Sequence, residues 1–214
     1  MNIKKLAKHN YKSFCSFEGS DYIASEFALE TLLKLVTFFK IKNILEVGLG
    51  IGSVADTILK LDQKENLGID YVGTEMNEFC LNALKKNVFH FEKIQLFSEI
   101  KDLPSKKFQL IIIDGSDESL NFIREKIEKS PIFFVEGDRK EQTEKILNLF
   151  PDHLYVNVIT LQKNPSYAHE ERDLNSYIGG GQLIFVNPTT AMKIYWVKEK
   201  IGTFLKRKIR KWNK

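Results

Sequence analysis

Residues 43–75 read NILEVGLGIGSVADTILKLDQKENLGIDYVGTE, and this stretch decides the predicted fold. Asn43–Val47 is a short apolar run typical of a strand, and it leads directly into a turn with three glycines. Helical spacing of apolar residues resumes over 53–61, and 71–74 is strand-like again. A strand, a tight glycine turn, a helix and a second strand in this order predict a βαβ unit of an α/β protein.

The same alternation extends on both sides of this unit. Residues 108–113 (FQLIII) are apolar throughout, as expected for a central parallel strand that is covered on both faces. A helix is predicted over 22–39, with Ser20 or Asp21 as its N-cap. Further helices are predicted at 77–87, 119–129 and 140–150, and further strands at 94–97 and 132–135. The pattern predicts a doubly wound, mostly parallel sheet with helices on both faces.

The last two predicted strands, 154–161 and 182–186, have no helix between them. They are therefore expected to form a terminal antiparallel pair that completes a seven-stranded sheet. The connection over 162–181 is polar and ends in three glycines, so it is predicted to be a long functional loop.

Length and composition indicate one core. The chain has 214 residues, 43% of them hydrophobic, which suits one sizeable core and not two. We divide it into an N-terminal extension (1–21) that is a candidate substrate cap, a main domain (22–190) and a basic amphipathic helix (191–214). Cys15 and Cys80 have neither disulfide-type nor metal-type spacing. No apolar run approaches the ~20 residues that cross a bilayer, and the first ten residues lack a secretory signal, so a cytoplasmic location is expected.

The glycine turn predicts a ligand site. Glycines let a ligand lie against bare backbone, and the helix that follows offers unpaired N–H groups. Gly48, Gly50 and Gly52 are spaced GxGxG, whereas a dinucleotide fingerprint is GxGxxG and would need a glycine at Ser53. The spacing therefore argues against a nicotinamide or flavin cofactor. The alternative is that the glycines only serve a tight turn and that Glu75, after the second strand, is a solvated acid.

The segments ILEVGLGIG (44–52) and YVGTEMNEFCLNALKKN (71–87) resemble the first two motifs of class I S-adenosylmethionine-dependent methyltransferases. The resemblance implies that 22–190 is a Rossmann-like methyltransferase domain with S-adenosylmethionine as its cofactor. It places Glu75 on the ribose, which suits a carboxylate because it can accept hydrogen bonds from two vicinal hydroxyls. It assigns the other cofactor-binding positions to Glu46, Gly48, Gly50, Gly52, Ser98 and Glu99.

Candidate chemistry follows the carboxyl ends of the later strands, where open α/β sheets bind ligands. IIIDGS (111–116) resembles the fourth motif of small-molecule O-methyltransferases, which makes Asp114 a candidate acceptor-side acid or base; the alternative is a helix cap. His169, in the long loop, is a candidate catalytic base, and the alternative is a surface histidine. Glu136, Asp138 and Arg139 are expected on the substrate side. No metal is predicted, because Arg139 occupies the place of the amide in the acid-acid-amide pattern of catechol-type relatives.

The C-terminal segment is strongly basic. The whole chain has a net charge of +4, yet from residue 191 onward nine basic residues face one acid, a net +8, which leaves −4 elsewhere. Apolar residues recur there at helical spacing: Ile194, Val197, Ile201, Phe204, Leu205, Ile209 and Trp212. For 194–201 we favour packing on the sheet, and for 204–214 contact with a partner and packing on the fold with solvated cations are equal alternatives. An anionic membrane surface ranks above nucleic acid because no nucleic-acid-binding module accompanies the helix.

These features lead to one main hypothesis and two alternatives. The main hypothesis is methyl transfer from S-adenosylmethionine to an oxygen or nitrogen of a small metabolite or glycan precursor. A spermidine-synthase-like aminopropyl transferase would share the fold and a similar glycine turn. A non-catalytic Rossmann-like binding module is the third hypothesis.

Overall fold

The strands form a single mixed sheet. The computed structural model describes residues 2–168 and 173–212, and within this part of the chain seven strands are hydrogen-bonded in the order β3-β2-β1-β4-β5-β7-β6. Their bounds are Asn43–Val47 (β1), Asp70–Thr74 (β2), Ile94–Phe97 (β3), Phe108–Ile113 (β4), Ile127–Glu136 (β5), His153–Val158 (β6) and Gly181–Val186 (β7). Strand β7 runs antiparallel to both β5 and β6, and the other pairs are parallel. The predicted doubly wound sheet with a terminal antiparallel pair is confirmed.

Helices cover both faces of the sheet. The described α-helices are Ile3–Phe14 (α1), Glu26–Phe39 (α2), Ser53–Glu65 (α3), Glu78–Asn87 (α4), Lys140–Leu149 (α5) and Thr190–Trp212 (α6). Neighbouring residues of β1 point to opposite faces of the sheet and so enter two separate cores. Ile44 belongs to the core with α1, α2 and α3, whereas Leu45 and Val47 belong to the core that contains residues of α5. No described helix is long and apolar enough to cross a membrane.

The segment predicted as an N-terminal extension contains a helix that belongs to the first core. Asn2 caps α1, and Leu6, Ala7, Tyr11 and Phe14 are buried against the rest of the chain. Asn10 is also fully buried, and its side chain donates to Thr57 Oγ1 at 2.6 Å and accepts from Lys60 Nζ at 2.7 Å. These bonds satisfy a polar group inside the interface between α1 and α3.

The predicted start of the second helix is wrong. Helix α2 begins at Glu26, where the Ser25 hydroxyl accepts from the Ala28 N–H at 3.2 Å. Ser20–Tyr22 is a short 3₁₀-helix, and Ile23 and Ser25 are extended. This segment is held against the glycine turn, because the Tyr22 carbonyl accepts from the Ile51 N–H and the Ala24 N–H donates to Ser53 Oγ. These hydrogen bonds to the glycine turn compete with α-helix formation at Tyr22.

Two other predicted elements have different boundaries. Residues 119–129 were expected to be an α-helix, but Glu118–Lys126 is a 3₁₀-helix and β5 already begins at Ile127. The buried residues Leu120, Ile123 and Lys126 recur every three residues, which matches the 3₁₀ repeat. Strand β6 ends at Val158 and not at residue 161, because the carbonyls of Ile159 and Thr160 accept from Lys206 and Arg210 of α6.

Helix α6 packs on the sheet as expected for its first half, but through a different face. Met192, Tyr195 and Thr203 are the buried positions, and the Trp196 indole donates to the Tyr155 carbonyl at 2.8 Å. The apolar positions predicted to face the sheet, among them Ile194 and Ile201, are exposed. The reason is that aromatic packing of Tyr195 against Phe38, Phe39 and Phe185 fixes the rotation of the helix.

Candidate functional site

The glycine turn lies at the carboxyl edge of the sheet and is packed tightly against neighbouring loops. Gly48 has φ +84°, and a Cβ there would lie 2.5 Å from the Cα of Gly115, in the loop after β4. Gly50 has φ +54°, and its Cβ would collide with the Tyr22 carbonyl oxygen. Both conformations disfavour side chains, so only glycine lets the turn fit between these loops while its backbone lines a cavity.

Glu75 is fixed at the end of β2 by backbone donors. Its Oε2 accepts from the Gly50 N–H at 2.8 Å, which joins the end of β2 to the glycine turn. Its Oε1 accepts from the N–H groups of Met76 at 2.9 Å and Asn77 at 2.8 Å. Three backbone donors hold the carboxylate in one orientation, and its oxygens can each accept a further hydrogen bond.

Two adjoining cavities meet at this point, with volumes of about 420 Å³ and about 370 Å³. They share Gly48, Glu75 and Ser116, so they are two halves of one cleft. Their size is that of a small-molecule site. The first half is also lined by Thr74, Met76, Ser98, Glu99, Asp117 and Glu118. The second half is lined by Asp21, Tyr22, Ile23, Gly50, Asn77, Cys80, Asp114, Gly115, Glu136 and Arg139.

Glu46 lies below the cleft and does not line it. Its side chain is fully buried, and one carboxyl oxygen accepts from the Tyr71 hydroxyl. The other oxygen, Oε1, has no partner among the described residues. Burial raises the pKa of Glu46 well above its ordinary value, and the negative charges of Asp114 and Glu75 raise it further. Negative charge on Asp114 and Glu75 at this edge favours a cationic ligand nearby.

The loops after β4 and β5 are joined by an ion pair. The Arg139 guanidinium donates to Asp114 Oδ1 at 3.0 Å and also to the backbone carbonyl of Asp114. Its Nε is buried and has no partner within the described part of the chain. Glu136, three residues earlier, accepts from the Ser25 N–H at 3.2 Å, which ties the start of α2 to the same half of the cleft.

Most of the residues predicted for the site line the cleft, whereas Glu46, Gly52 and Asp138 do not. Asp138 follows a chain reversal at Gly137 (φ +69°), and its side chain is 81% exposed outside the cleft. His169 lies outside the described residues. Within 2–168 and 173–212, no three His, Cys, Asp or Glu side chains form a group that could hold a metal ion.

Sequence comparison gives no relatives, whereas comparison of structures does. No family model and no curated protein matches the sequence. The chain superposes on a Podospora anserina methyltransferase bound to S-adenosylhomocysteine with a TM-score of 0.56, 11% identity and coverage of 85% of this chain and 87% of the other. A protein from Klebsiella pneumoniae assigned as an O-methyltransferase superposes with a TM-score of 0.55 and 14% identity, and the match covers 87% of this chain and 90% of the other. A protein from Pyrococcus horikoshii assigned as an RNA methyltransferase superposes with a TM-score of 0.53 and 14% identity, and the match covers 88% of this chain and 99% of the other.

The chain has the Rossmann-like methyltransferase fold. At identities of 14% or less, these likenesses establish the architecture and nothing about the acceptor. The neighbours themselves differ in the acceptor that their descriptions name. The methyltransferase fold nevertheless places the cleft described above at the carboxyl edge, where open α/β sheets bind ligands.

Several residues of the cleft escaped the sequence analysis. Asp21 and Tyr22 line the second half because the segment before α2 runs across the glycine turn. Met76 is 64% exposed at the mouth of the first half. An apolar residue directly after the predicted ribose acid was a usable signal for Met76. Cys80 reaches the second half from α4, and burial, with a contribution from Glu75, raises the pKa of its thiol to about 11, so it is not a thiolate at neutral pH.

Proposed function

We propose that this chain is a methyltransferase that transfers a methyl group from S-adenosylmethionine to an oxygen or nitrogen of a small metabolite or glycan precursor. The observation that carries the proposal is the divided cleft, whose halves share Gly48, Glu75 and Ser116 at the carboxyl edge of a methyltransferase fold. One half has room for an adenosine, and the other for the amino-acid end together with an acceptor.

The residues of the first half fit an adenosine. Glu75 is oriented by three backbone donors, so it is organised in advance to accept from a ribose hydroxyl. Ser98 and Glu99 follow β3 and line the same half, where we assign them to the adenine. Met76 offers an apolar, polarizable side chain to the face of the base.

The charge of the second half fits the other end of the cofactor. S-Adenosylmethionine carries a sulfonium and an ammonium group and supplies the methyl group to be transferred. The backbone of Gly48 to Gly52 would lie against its amino-acid part. Asp114 and Glu75 contribute negative charge, and the unpartnered Oε1 of Glu46 is a buried acceptor that a cation nearby would compensate.

On the acceptor side, alignment is the main contribution that the chain can make, since methyl transfer is an in-line displacement. We assign the acceptor position to the space beside Asp114, Glu136 and Arg139. Arg139 holds Asp114 in place, and the carboxylate of Asp114 takes the proton that the acceptor loses. The polar lining of this half suits an acceptor with hydroxyl or amine groups, and its limited volume suits a small one.

Calorimetry with S-adenosylhomocysteine, S-adenosylmethionine, decarboxylated S-adenosylmethionine and NAD, side by side, tests the proposal. We expect the first two ligands to bind and NAD not to bind. Replacing Glu75 by Gln should weaken S-adenosylhomocysteine binding about tenfold to a hundredfold, because a charge-assisted bond to the ribose is lost. The control is Asp70→Asn, which changes an acid at the opposite end of the same strand and should leave the affinity unchanged.

Each alternative hypothesis predicts a different result in this experiment. Tighter binding of decarboxylated S-adenosylmethionine would favour an aminopropyl transferase. No binding of any adenosyl ligand would favour a non-catalytic module. Equal affinities of the Glu75→Gln and wild-type proteins would show that the ribose assignment is wrong.

A further inference from the structure

The outer face of α6 is an unpartnered apolar surface. Within the described residues 190–212, seven large apolar side chains expose between 37% and 83% of their surface: Ile194, Val197, Ile201, Phe204, Leu205, Ile209 and Trp212. Their three- and four-residue spacing places most of them in one stripe along the helix. From Ile194 to Trp212 the helix rises about 27 Å, so the stripe extends over a distance comparable to the width of a small domain.

The inner face of α6 is committed to the sheet and runs along β6. Trp196 contacts Tyr155, Thr203 donates to the Asn157 carbonyl at 2.7 Å, and Lys206 donates to the Ile159 carbonyl at 2.8 Å. The helix therefore advances in the direction of β6, toward the carboxyl edge of the sheet. Its basic end reaches the edge that carries the cofactor cleft.

A basic hollow lies at that end of the helix. It has a volume of about 740 Å³, and the described residues that line it include four cations and no acid: Ile159, Tyr177, Phe204, Arg207, Lys208, Arg210 and Lys211. Arg210 lies over the Tyr177 ring, 4.1 Å from its centroid, and its Nε donates to the Thr160 carbonyl at 3.0 Å. The hollow and the apolar stripe share Phe204, so cationic and apolar groups form one continuous surface.

We propose that α6 docks this protein on the surface of an anionic lipid bilayer. Its apolar stripe would enter the boundary between headgroups and acyl chains, and the basic hollow would face lipid phosphates. This goes beyond methyl transfer and does not depend on it.

Charge complementarity selects this occupant over two others. Helix α6 carries eight basic residues and one acid, a net charge of +7, so a second copy seated on the same face would meet strong like-charge repulsion. Nucleic acid would match the charge, but such interfaces are polar and have no use for a long row of exposed Ile, Leu, Phe and Trp side chains. An anionic bilayer satisfies both the cations and the apolar stripe.

The test is co-sedimentation of the full chain with vesicles of equal parts phosphatidylcholine and phosphatidylglycerol, and with vesicles of phosphatidylcholine alone. We expect binding to the anionic vesicles that rising salt weakens without abolishing. Phe204→Ser should reduce the partition coefficient about tenfold, because the stripe loses a large apolar group. The matched control is Phe122→Ser, which removes an exposed phenylalanine from a different part of the surface. Lys208→Gln combined with Lys211→Gln should reduce binding to anionic vesicles alone.

Three outcomes would overturn the proposal. One is that the wild-type chain does not sediment with anionic vesicles. The second is evidence of a purely electrostatic contact, such as one with nucleic acid. Equal binding of Phe204→Ser and Phe122→Ser, or binding that disappears at high salt, would be that evidence. The third is a dimer in sedimentation equilibrium that Phe204→Ser dissociates, which would identify a second copy as the occupant.

Discussion

The cleft at the carboxyl edge of the sheet and the outer face of α6 depart from the usual distribution of side chains in opposite directions. The cleft buries an ionisable group, since Glu46 has no exposed surface, and its pKa is raised by burial and by the nearby charges of Asp114 and Glu75. Helix α6 instead exposes apolar residues, with Trp212 83% exposed. Folding alone favours neither arrangement, because buried charge and exposed apolar surface both cost free energy.

The two regions differ in how much of their structure local sequence determines. In the cleft, the key positions are fixed by local spacing within one βαβ unit. Gly48 and Gly50 follow its first strand, and Glu75 follows its second. On α6, local spacing identifies an amphipathic helix but cannot say which face meets the sheet. That choice depends on Phe38, Phe39 and Phe185, which are distant in sequence.

The largest expected difference is between the two faces of α6. Tyr195→Ala removes a buried ring that packs against three phenylalanines and should lower the free energy of unfolding by about 3 to 5 kcal/mol. Ile201→Ala, on the outer face, should change it by about 0.5 kcal/mol or less. Urea unfolding of both variants measures the difference. Similar losses in both would mean that Ile201 is buried and that the outer face is not available for docking.

The next expected effect concerns the glycine turn and uses a second glycine as its control. Gly48 and Gly68, at opposite ends of α3, both have positive φ values, +84° and +68°. A Cβ at Gly48 meets the backbone of Gly115, whereas a Cβ at Gly68 meets nothing within 4 Å. Gly48→Ala should therefore cost about 1 to 3 kcal/mol more than Gly68→Ala, since only the first adds a steric collision to the backbone strain.

Thermal or urea unfolding of the two alanine variants measures this effect, and calorimetry with S-adenosylhomocysteine measures its consequence for the cleft. Equal stabilities would show that the Gly48–Gly115 contact is not tight and that the glycine is needed only for its φ value.

The fold was predictable from the sequence because its signals are local and repeated. Apolar strands such as Phe108–Ile113, glycine turns and amphipathic helices each specify their element without distant contacts. The exceptions have physical reasons. The 3₁₀-helix Glu118–Lys126 was predicted as α because a three-residue burial repeat resembles a short helical one. Helix α1 was not predicted, although Leu6, Ala7, Tyr11 and Phe14 have helical spacing, because polar residues, lysines among them, alternate with these apolar positions.

The candidate site was predictable where it follows strands in sequence and not where the chain returns from elsewhere. Glu75, Ser98 and Asp114 each stand directly after a strand, so topology alone places them at one edge. Asp21 and Tyr22 reach the cleft only because the segment before α2 crosses the glycine turn. The partners of Glu46 were likewise hidden, since Tyr71 is 25 residues away and its position depends on strand register.

The most specific effect is a pH dependence that comes from Glu46. Because the pKa of Glu46 is raised in the folded chain, the folded state keeps its proton at pH values where the unfolded chain has lost it. Stability from this group is therefore present below the ordinary value of 4.5 and is lost as the pH rises toward the raised pKa.

Glu46→Gln keeps an acceptor for the Tyr71 hydroxyl and has no proton to lose. The stability of the wild-type chain relative to Glu46→Gln should fall with rising pH, by at most about 1.4 kcal/mol per pH unit. Urea unfolding of both proteins from pH 5 to pH 8 measures this slope, and other acids cancel because both chains contain them. A flat difference over this range would mean that Glu46 is ionised in the fold, and the contrast between buried charge in the cleft and exposed apolar surface on α6 would then be greater than we describe.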